Sequence, residues 1–206
     1  MIILCCLLHS GANGQQSDDH AIFAEFSVGK YLPVFPLSES DSRSDMTYRG
    51  GVGVQLFRDY IITGRIMYFS THGVPLIRYS IGEGNYLTYD GEMEYKHWLT
   101  MIALQYALTP EVDFRVGINV GILFMTATKT ETSIKYNHYT EERIENVVGG
   151  FFGGDIELMI PRTGFSVTGD VYISYSEGED DKNGSGGNPV FTGFTAMIGI
   201  RYYIQI

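Results

Sequence analysis

The 206-residue chain has only two cysteines, Cys5 and Cys6, both at its start. No disulfide framework therefore holds the rest of it together. Prolines number six, and no run of 18 apolar residues occurs, which excludes a membrane-spanning helix. Cations are scarce too: 14 Lys and Arg against 24 Asp and Glu give a formal charge of −10. A nucleic-acid partner needs clustered Lys and Arg, and here they are scattered, so no nucleic-acid binding is expected. Charged residues reach only 18% of the chain, against about 25% in a typical soluble domain. What is plentiful is glycine at 25, tyrosine at 15 and phenylalanine at 12, within a 44% hydrophobic content. That is too much apolar material for a disordered chain, and its balance suits one all-β domain with a large apolar surface.

Residues 1–14 read as a secretory signal peptide. Ile2 to Leu8 form a short apolar core, and Ala12-Asn13-Gly14 is a small-x-small site at which cleavage would leave Gln15 first. The basic segment that usually precedes such a core is missing, so the expectation is an upstream start or a weak signal. A buried first strand is the competing reading. The residues before Cys5 are large, which speaks against a lipoprotein. Residues 15–206 are then the mature domain.

Alternation dominates that domain. Val112, Phe114, Val116, Ile118, Val120, Ile122 and Phe124 share one face, while Asp113, Arg115, Gly117, Asn119, Gly121 and Leu123 share the other. The same period of two recurs around Ile22–Val28, Val52–Leu56, Ile62–Tyr68, Trp98–Tyr106, Phe152–Ile160, Val167–Tyr175 and Phe194–Ile206, which makes eight strands. Tight turns of Arg58-Asp59, Thr109-Pro110-Glu111 and Pro161-Arg162-Thr163-Gly164 separate alternate pairs. The other connections, near 33–45, 71–91, 128–146 and 177–190, are long and polar. An even strand number with short turns at one end and long loops at the other is the layout of an eight-stranded antiparallel up-and-down transmembrane β-barrel.

A lipocalin-like soluble barrel, apolar within, uses the same strand count. The polar face separates the two. Glu25, Arg49, Arg65, Asp113, Arg115, Asn119, Asp155, Glu157, Asp170 and Arg201 lie on it, and inside a barrel its acids and bases can pair in the lumen. Turning that face outward would crowd every large aliphatic side chain into an interior just wide enough to be filled. Inward glycines such as Gly51, Gly117 and Gly153 leave room for long side chains. On the opposite face, Tyr68, Trp98, Phe124, Phe152, Tyr175 and Phe194 fall near the loop ends, and Tyr60, Tyr106, Phe114, Phe165 and Tyr202 near the turn ends. Two aromatic rims around an apolar band are interfacial girdles.

The chain resembles the small eight-stranded outer-membrane barrels, including the membrane domain of outer-membrane protein A, over residues 20–206. Its last strand, Gly199-Ile200-Arg201-Tyr202-Tyr203-Ile204-Gln205-Ile206, is similar to the assembly signal of such barrels, although it ends in Ile rather than the usual Phe. The resemblance implies the outer membrane of a Gram-negative-type bacterium. Its implied partners are outer-membrane lipid and the barrel assembly machinery during biogenesis.

Chemistry is sparse. None of His9, His20, His72, His97 and His138 has a second ligand at metal spacing, so neither a metal nor a cofactor is expected. Relatives that modify lipids carry a Ser/His pair with a carboxylate; Ser70, Thr71, His72 and His97 form no obvious set of that kind. Glu177 to Gly184 reads as a solvated acidic loop. Tyr79, Tyr86 and Tyr89, with Tyr95 beyond them, flank Gly82-Glu83-Gly84-Asn85, which suggests a hairpin whose tyrosines either bind a surface ligand or pack together. The expected function is a non-enzymatic barrel whose loops interact at the cell surface or support the envelope. Porin-like passage of small or hydrophobic solutes and lipid-modifying catalysis are the alternatives.

An even strand count puts both termini in the periplasm. External protease should cut within 34–45, 71–91, 128–146 or 177–190 on intact cells and spare the 109–111 turn; cleavage in the reverse pattern would contradict this topology.

Overall fold

Alternation of side chains favours extended backbone, and nearly every described residue lies in a strand. The computed structural model describes residues 21–33, 43–57, 59–73, 76–82, 85–90, 92–109, 113–133, 138–177 and 191–205. The expected signal segment, 1–14, lies outside them. In chain order the strands are β1 (Ala21–Pro33), β2 (Arg43–Ser44), β3 (Met46–Phe57), β4 (Tyr60–Gly73), β5 (Leu76–Gly82), β6 (Asn85–Asp90), β7 (Glu92–Ala107), β8 (Phe114–Ser133), β9 (His138–Met159), β10 (Phe165–Glu177) and β11 (Phe191–Gln205).

Eight of these close a barrel. The order is β4-β3-β1-β11-β10-β9-β8-β7, and β7 returns to β4. All pairings are antiparallel, each barrel strand beside its successor and the first beside the last, so no edge is left along the closed wall. The short β2 pairs with the top of β4 beyond a break at Asp45, and β5 with β6 forms a separate hairpin.

Closure sorts the two faces. Outward Val52, Phe152 and Ile198 are about 60% exposed at 61%, 60% and 61%, while inward Phe23, Ile61 and Met101 are at 0%. A soluble domain would leave so wide an apolar wall in water at a cost of roughly 25 cal/mol per Å². Rings pair along the rims of this wall: Tyr60 with Tyr106 at 5.1 Å and Phe165 with Tyr202 at 4.7 Å at the turn end, Tyr68 with Trp98 at 4.8 Å at the loop end.

The turn end is tightly made. Between β9 and β10, Arg162 and Gly164 take positive φ of 64° and 71°. The Thr163 hydroxyl donates to the Ile160 carbonyl at 2.8 Å and accepts from Phe165 N–H at 3.1 Å, which closes the turn.

The loop end differs from the sequence expectation. The stretch 128–146, expected as a loop, is mostly strand: β8 runs on to Ser133, β9 begins at His138, and beyond a register shift between Met125 and Ala127 the two stay paired to their ends. Thr126, Thr128, Thr130 and Thr132 supply the reason, because β-branched side chains favour the extended state without being apolar. Within 71–91, β4 extends to Gly73 and β5 pairs with β6 through Gly82 and Asn85, so the hairpin expected there is present.

Ile198, midway along β11 between Phe194 and Tyr202, tests the outward face. Ile198→Arg should cost about 2–4 kcal/mol at mid-membrane depth, whereas the inward Thr168→Ser should stay within about 1 kcal/mol. Urea titrations in lipid vesicles measure both; equal losses would contradict the facing assigned here.

Candidate functional site

Inward positions fall into two layers. The turn-side layer is polar. Glu25, Asp155, Glu157 and Asp170 meet Arg49, Arg65, Arg115 and Arg201, all eight of them buried. Four acids against four bases make the layer formally neutral, which a low-dielectric interior requires.

Its geometry centres on Glu25. Arg65 Nε donates to Glu25 Oε1 at 2.5 Å, and Arg201 Nη2 to Oε2 at 3.0 Å, with Arg49 Nε 3.7 Å from Oε1. Arg201 also donates to Glu157 at 2.8 Å through Nη1 and stacks 4.1 Å above the Phe23 ring. Arg115 lies 3.6 Å from Glu157. The longest reach is from Arg49 on β3 to Asp170 on β10, at 2.5 Å, two strands lying between them in the wall. Asp155 is held by amides instead, accepting from Asn119 Nδ2 at 2.8 Å and from Gln105. A Cβ at Gly117 would sit 2.7 Å from Asp155 Oδ1, so that carboxylate needs the glycine opposite it.

The loop-side layer is apolar, and the sequence reading did not single it out. Met67, Phe69, Leu99, Met101, Leu123, Met125, Phe151, Tyr172 and Met197 pack there. The Tyr172 hydroxyl on β10 donates to Met67 Sδ on β4 at 2.8 Å, joining strands on opposite sides of the eight-stranded wall. Both layers therefore bridge the lumen. Alternation carried the missing signal, since these residues share a face with the charges.

Two expected residues lie elsewhere. Asp113 is exposed in the bend before β8, where its carbonyl accepts from Met159 N–H at 2.9 Å, so it does not join the lumen charges. The β8 strand begins only at Phe114, and the alternation, begun at Val112, was extended two positions too far. Tyr95, expected beside an exposed binding surface, is 7% exposed and points inward into the apolar layer near His97. It occupies the inward register of β7 rather than a loop. Tyr79, Tyr86 and Tyr89 have backbone places in the β5–β6 hairpin, and their side chains lie outside the described residues.

Gln105, Ser166 and Tyr203 complete the polar layer; Tyr203 and Ser166 both donate to Glu157, Tyr203 at 2.8 Å and Ser166 at 2.5 Å. Near the loop end, Asp45 accepts from Ser70 at 2.7 Å and meets His72 Nε2 at 2.8 Å. The Ser70 hydrogen bond, then that of His72, holds the Asp45 carboxyl below its ordinary value. Here the carboxylate stands between serine and histidine, which is not the order a nucleophile and its base require. Among the described residues no three His, Cys, Asp or Glu side chains gather to hold a metal.

Among the described residues the wall continues above the loop-end girdle mainly on the side of β4, β7, β8 and β9. β7, β8 and β9 rise together, with Glu92↔Thr132 and Thr132↔Tyr139 the uppermost outward pairs. From Phe124 to Ser133 is roughly 30 Å of strand, or about 23 Å of height at a tilt near 40°.

Solved structures share this architecture. OprG of Pseudomonas aeruginosa aligns with 94% of this chain and 99% of its own, with a TM-score of 0.57 and 13% identity. A major outer membrane protein of Thermus thermophilus aligns with 90% of this chain and 99% of its own, with a TM-score of 0.56 and 12% identity. The chain has the fold of the small eight-stranded outer-membrane β-barrels. The attachment invasion locus protein Ail of Yersinia pestis, in complex with the heparin analogue sucrose octasulfate, aligns with 90% of this chain and 97% of its own, at a TM-score of 0.50 and 11% identity. Identities this low speak for the fold alone. No family model matches the chain, and no curated protein matches it by sequence.

Removing one partner of a buried pair leaves a buried charge alone. Arg49→Ala and Arg201→Ala should each cost about 3–5 kcal/mol, whereas Lys96→Ala, which breaks an exposed pair with Glu94, should cost about 0–1 kcal/mol. Denaturant midpoints in lipid vesicles measure the three; a common midpoint would remove the lumen bridges as a source of stability.

Proposed function

We propose that this is a non-enzymatic outer-membrane protein of a Gram-negative-type bacterium, delivered by a cleaved leader at residues 1–14, that presents its raised β7–β8–β9 sheet at the cell surface for interaction. The observation that carries this reading is the contrast between a bridged lumen and a tall sheet. Arg49–Asp170 and Tyr172–Met67 each span the interior. Ions or small solutes entering the lumen would meet both, and the buried charges resist unpairing. Outside, by contrast, the chain invests 20 residues in β8 and 22 in β9, far more than the apolar band needs. Their uppermost side chains, Tyr139, Glu141 and Arg143, are exposed.

Two measurements on one set of proteins test it. Wild type in planar bilayers should give no discrete conductance steps. Replacing 126–146 by Asn-Gly closes the hairpin on the Met125↔Val147 pair with a favourable two-residue turn. That variant should still fold but lose attachment of displaying cells to epithelial monolayers and to protein-coated surfaces. Stable channels in wild type, or attachment unchanged by the shortened hairpin, would overturn the proposal.

A further inference from the structure

Inward positions nearest the turns floor the lumen at its turn end. Ile61 is the first inward residue of β4, Arg115 of β8 and Ser166 of β10, and Ala107 is the last of β7. Phe23 and Tyr203 complete the floor from β1 and β11, their ring centroids 5.3 Å apart. Of these six residues only Arg115 is charged.

Its guanidinium is underused. Arg115 is 8% exposed, yet its Nε and Nη1 are buried with no hydrogen-bond partner, and its ion pair with Glu157 stands at 3.6 Å, beyond hydrogen-bond length. Glu157 lies directly opposite it on β9 but is occupied: Oε1 accepts from Ser166 and Tyr203, and Oε2 from Arg201. Asp155, the carboxylate that no arginine bonds, is held by Gln105 and Asn119. Acceptors without donors do occur in the lumen, at Gln105 Oε1 and Asn119 Oδ1 on directly opposite residues. Asn119, however, lies four residues up β8, about 13 Å along the strand and out of the guanidinium's reach. Neutral as a whole, the polar layer is thus unbalanced locally, with spare donors at the turn-end mouth and spare acceptors above it.

We infer that Arg115 is the binding site for a small oxyanion, a carboxylate or a phosphate, that enters from the turn end and accepts its idle N–H groups. Both ions present paired oxygens, and a guanidinium carries its donors in a planar fork that matches them. Charge favours the same ligand. With Asp155 held by its amides, Arg49, Arg65, Arg115 and Arg201 face only Glu25, Glu157 and Asp170. Arg49, Arg65 and Arg201 approach a carboxylate at 2.5, 2.5 and 2.8 Å, so the surplus positive charge rests on Arg115. A buried donor without an acceptor is costly, and an anion that reaches it recovers that cost. Ile61, Ala107 and Phe23 add low-dielectric surroundings, in which a charge-assisted hydrogen bond is stronger than in water. The site lies at the opposite end of the barrel from the raised sheet, and neither reading depends on the other.

Full-length protein in nanodiscs, labelled with nitrogen-15 arginine, tests this by NMR. The arginine Nε–H signals are followed as sodium phosphate, sodium acetate or sodium chloride is added at constant ionic strength. The Arg115 signal, assigned by its absence from Arg115→Lys or Arg115→Gln, should move saturably with phosphate, acetate or both, and stay in place with chloride. Response to phosphate alone names a phosphate-bearing ligand, and response to acetate alone a carboxylate-bearing one. In lipid vesicles the same anion should raise the urea midpoint of wild type, and equally that of Arg162→Gln, which removes an exposed cation at the turn end. Arg115→Lys keeps the charge without the fork and should lose at least half of that rise. No saturable movement with either oxyanion, equal movement with chloride, or an equal rise in wild type and Arg115→Lys would overturn the site.

Discussion

A closed sheet of eight strands leaves an interior that side chains must fill, and whatever polar groups enter must find partners there. Glu25 is where this requirement is met most densely. Arg65 and Arg201 donate to it at 2.5 and 3.0 Å, and Arg49 stands 3.7 Å away. One carboxylate cannot neutralise three guanidiniums. Asp170 and Glu157 are therefore required as second partners for Arg49 and Arg201, and this demand extends the layer across the barrel. Desolvating these groups is expensive, so their pairing does not by itself argue for unusual stability. What it secures is a definite interior, since each arginine has only a few acids within reach.

The apolar layer follows from the same geometry. Large rings can face inward only where the neighbouring strand carries nothing. A Cβ at Gly53 would run into the Phe23 ring, one at Gly121 into Phe151, and one at Gly153 into Tyr172. Among the described glycines, several thus serve close approach inside the barrel. The filled interior is also why the outer wall, rather than the lumen, carries the apolar surface expected of a membrane solvent, and why the functional reading moves to the raised sheet.

Much of this was legible as alternation. The eight barrel strands, the facing of Arg49, Arg65, Arg201 and the lumen acids, and the two aromatic rims all follow from a period of two with apolar residues outward. The upper halves of β8 and β9 were not legible, because Thr126, Thr128, Thr130 and Thr132 put no large apolar side chain on the outward face, and an apolar face is the signal being read. Tyr95 was misplaced for a different reason: it lies beyond the 71–91 loop, where Glu94 and Lys96 alternate with it and the apolar residue faces inward. Which acid meets which base was closed to inspection in a different sense. It depends on strand register, which turns and bulges set, so that Arg49 reaches Asp170 while Asp155 is left to two amides. Asp113 shows the boundary problem: one residue before the strand's start, the period no longer says where a side chain points.

The Glu25–Arg201 pair joins residues directly opposite each other on β1 and β11, the strands that begin and end the described chain. Nascent sheets can grow from the middle outward, hairpin by hairpin, but this contact has to wait for the ends to meet. An incompletely zipped intermediate would leave Arg201 without Glu25 and Arg49 without Asp170 at once, since both contacts cross the seam between β1 and β11. The pair is therefore a latch as well as a brace: it rewards only the finished ring, and it adds unpaired buried charge to the lost backbone ladder whenever the two terminal strands part.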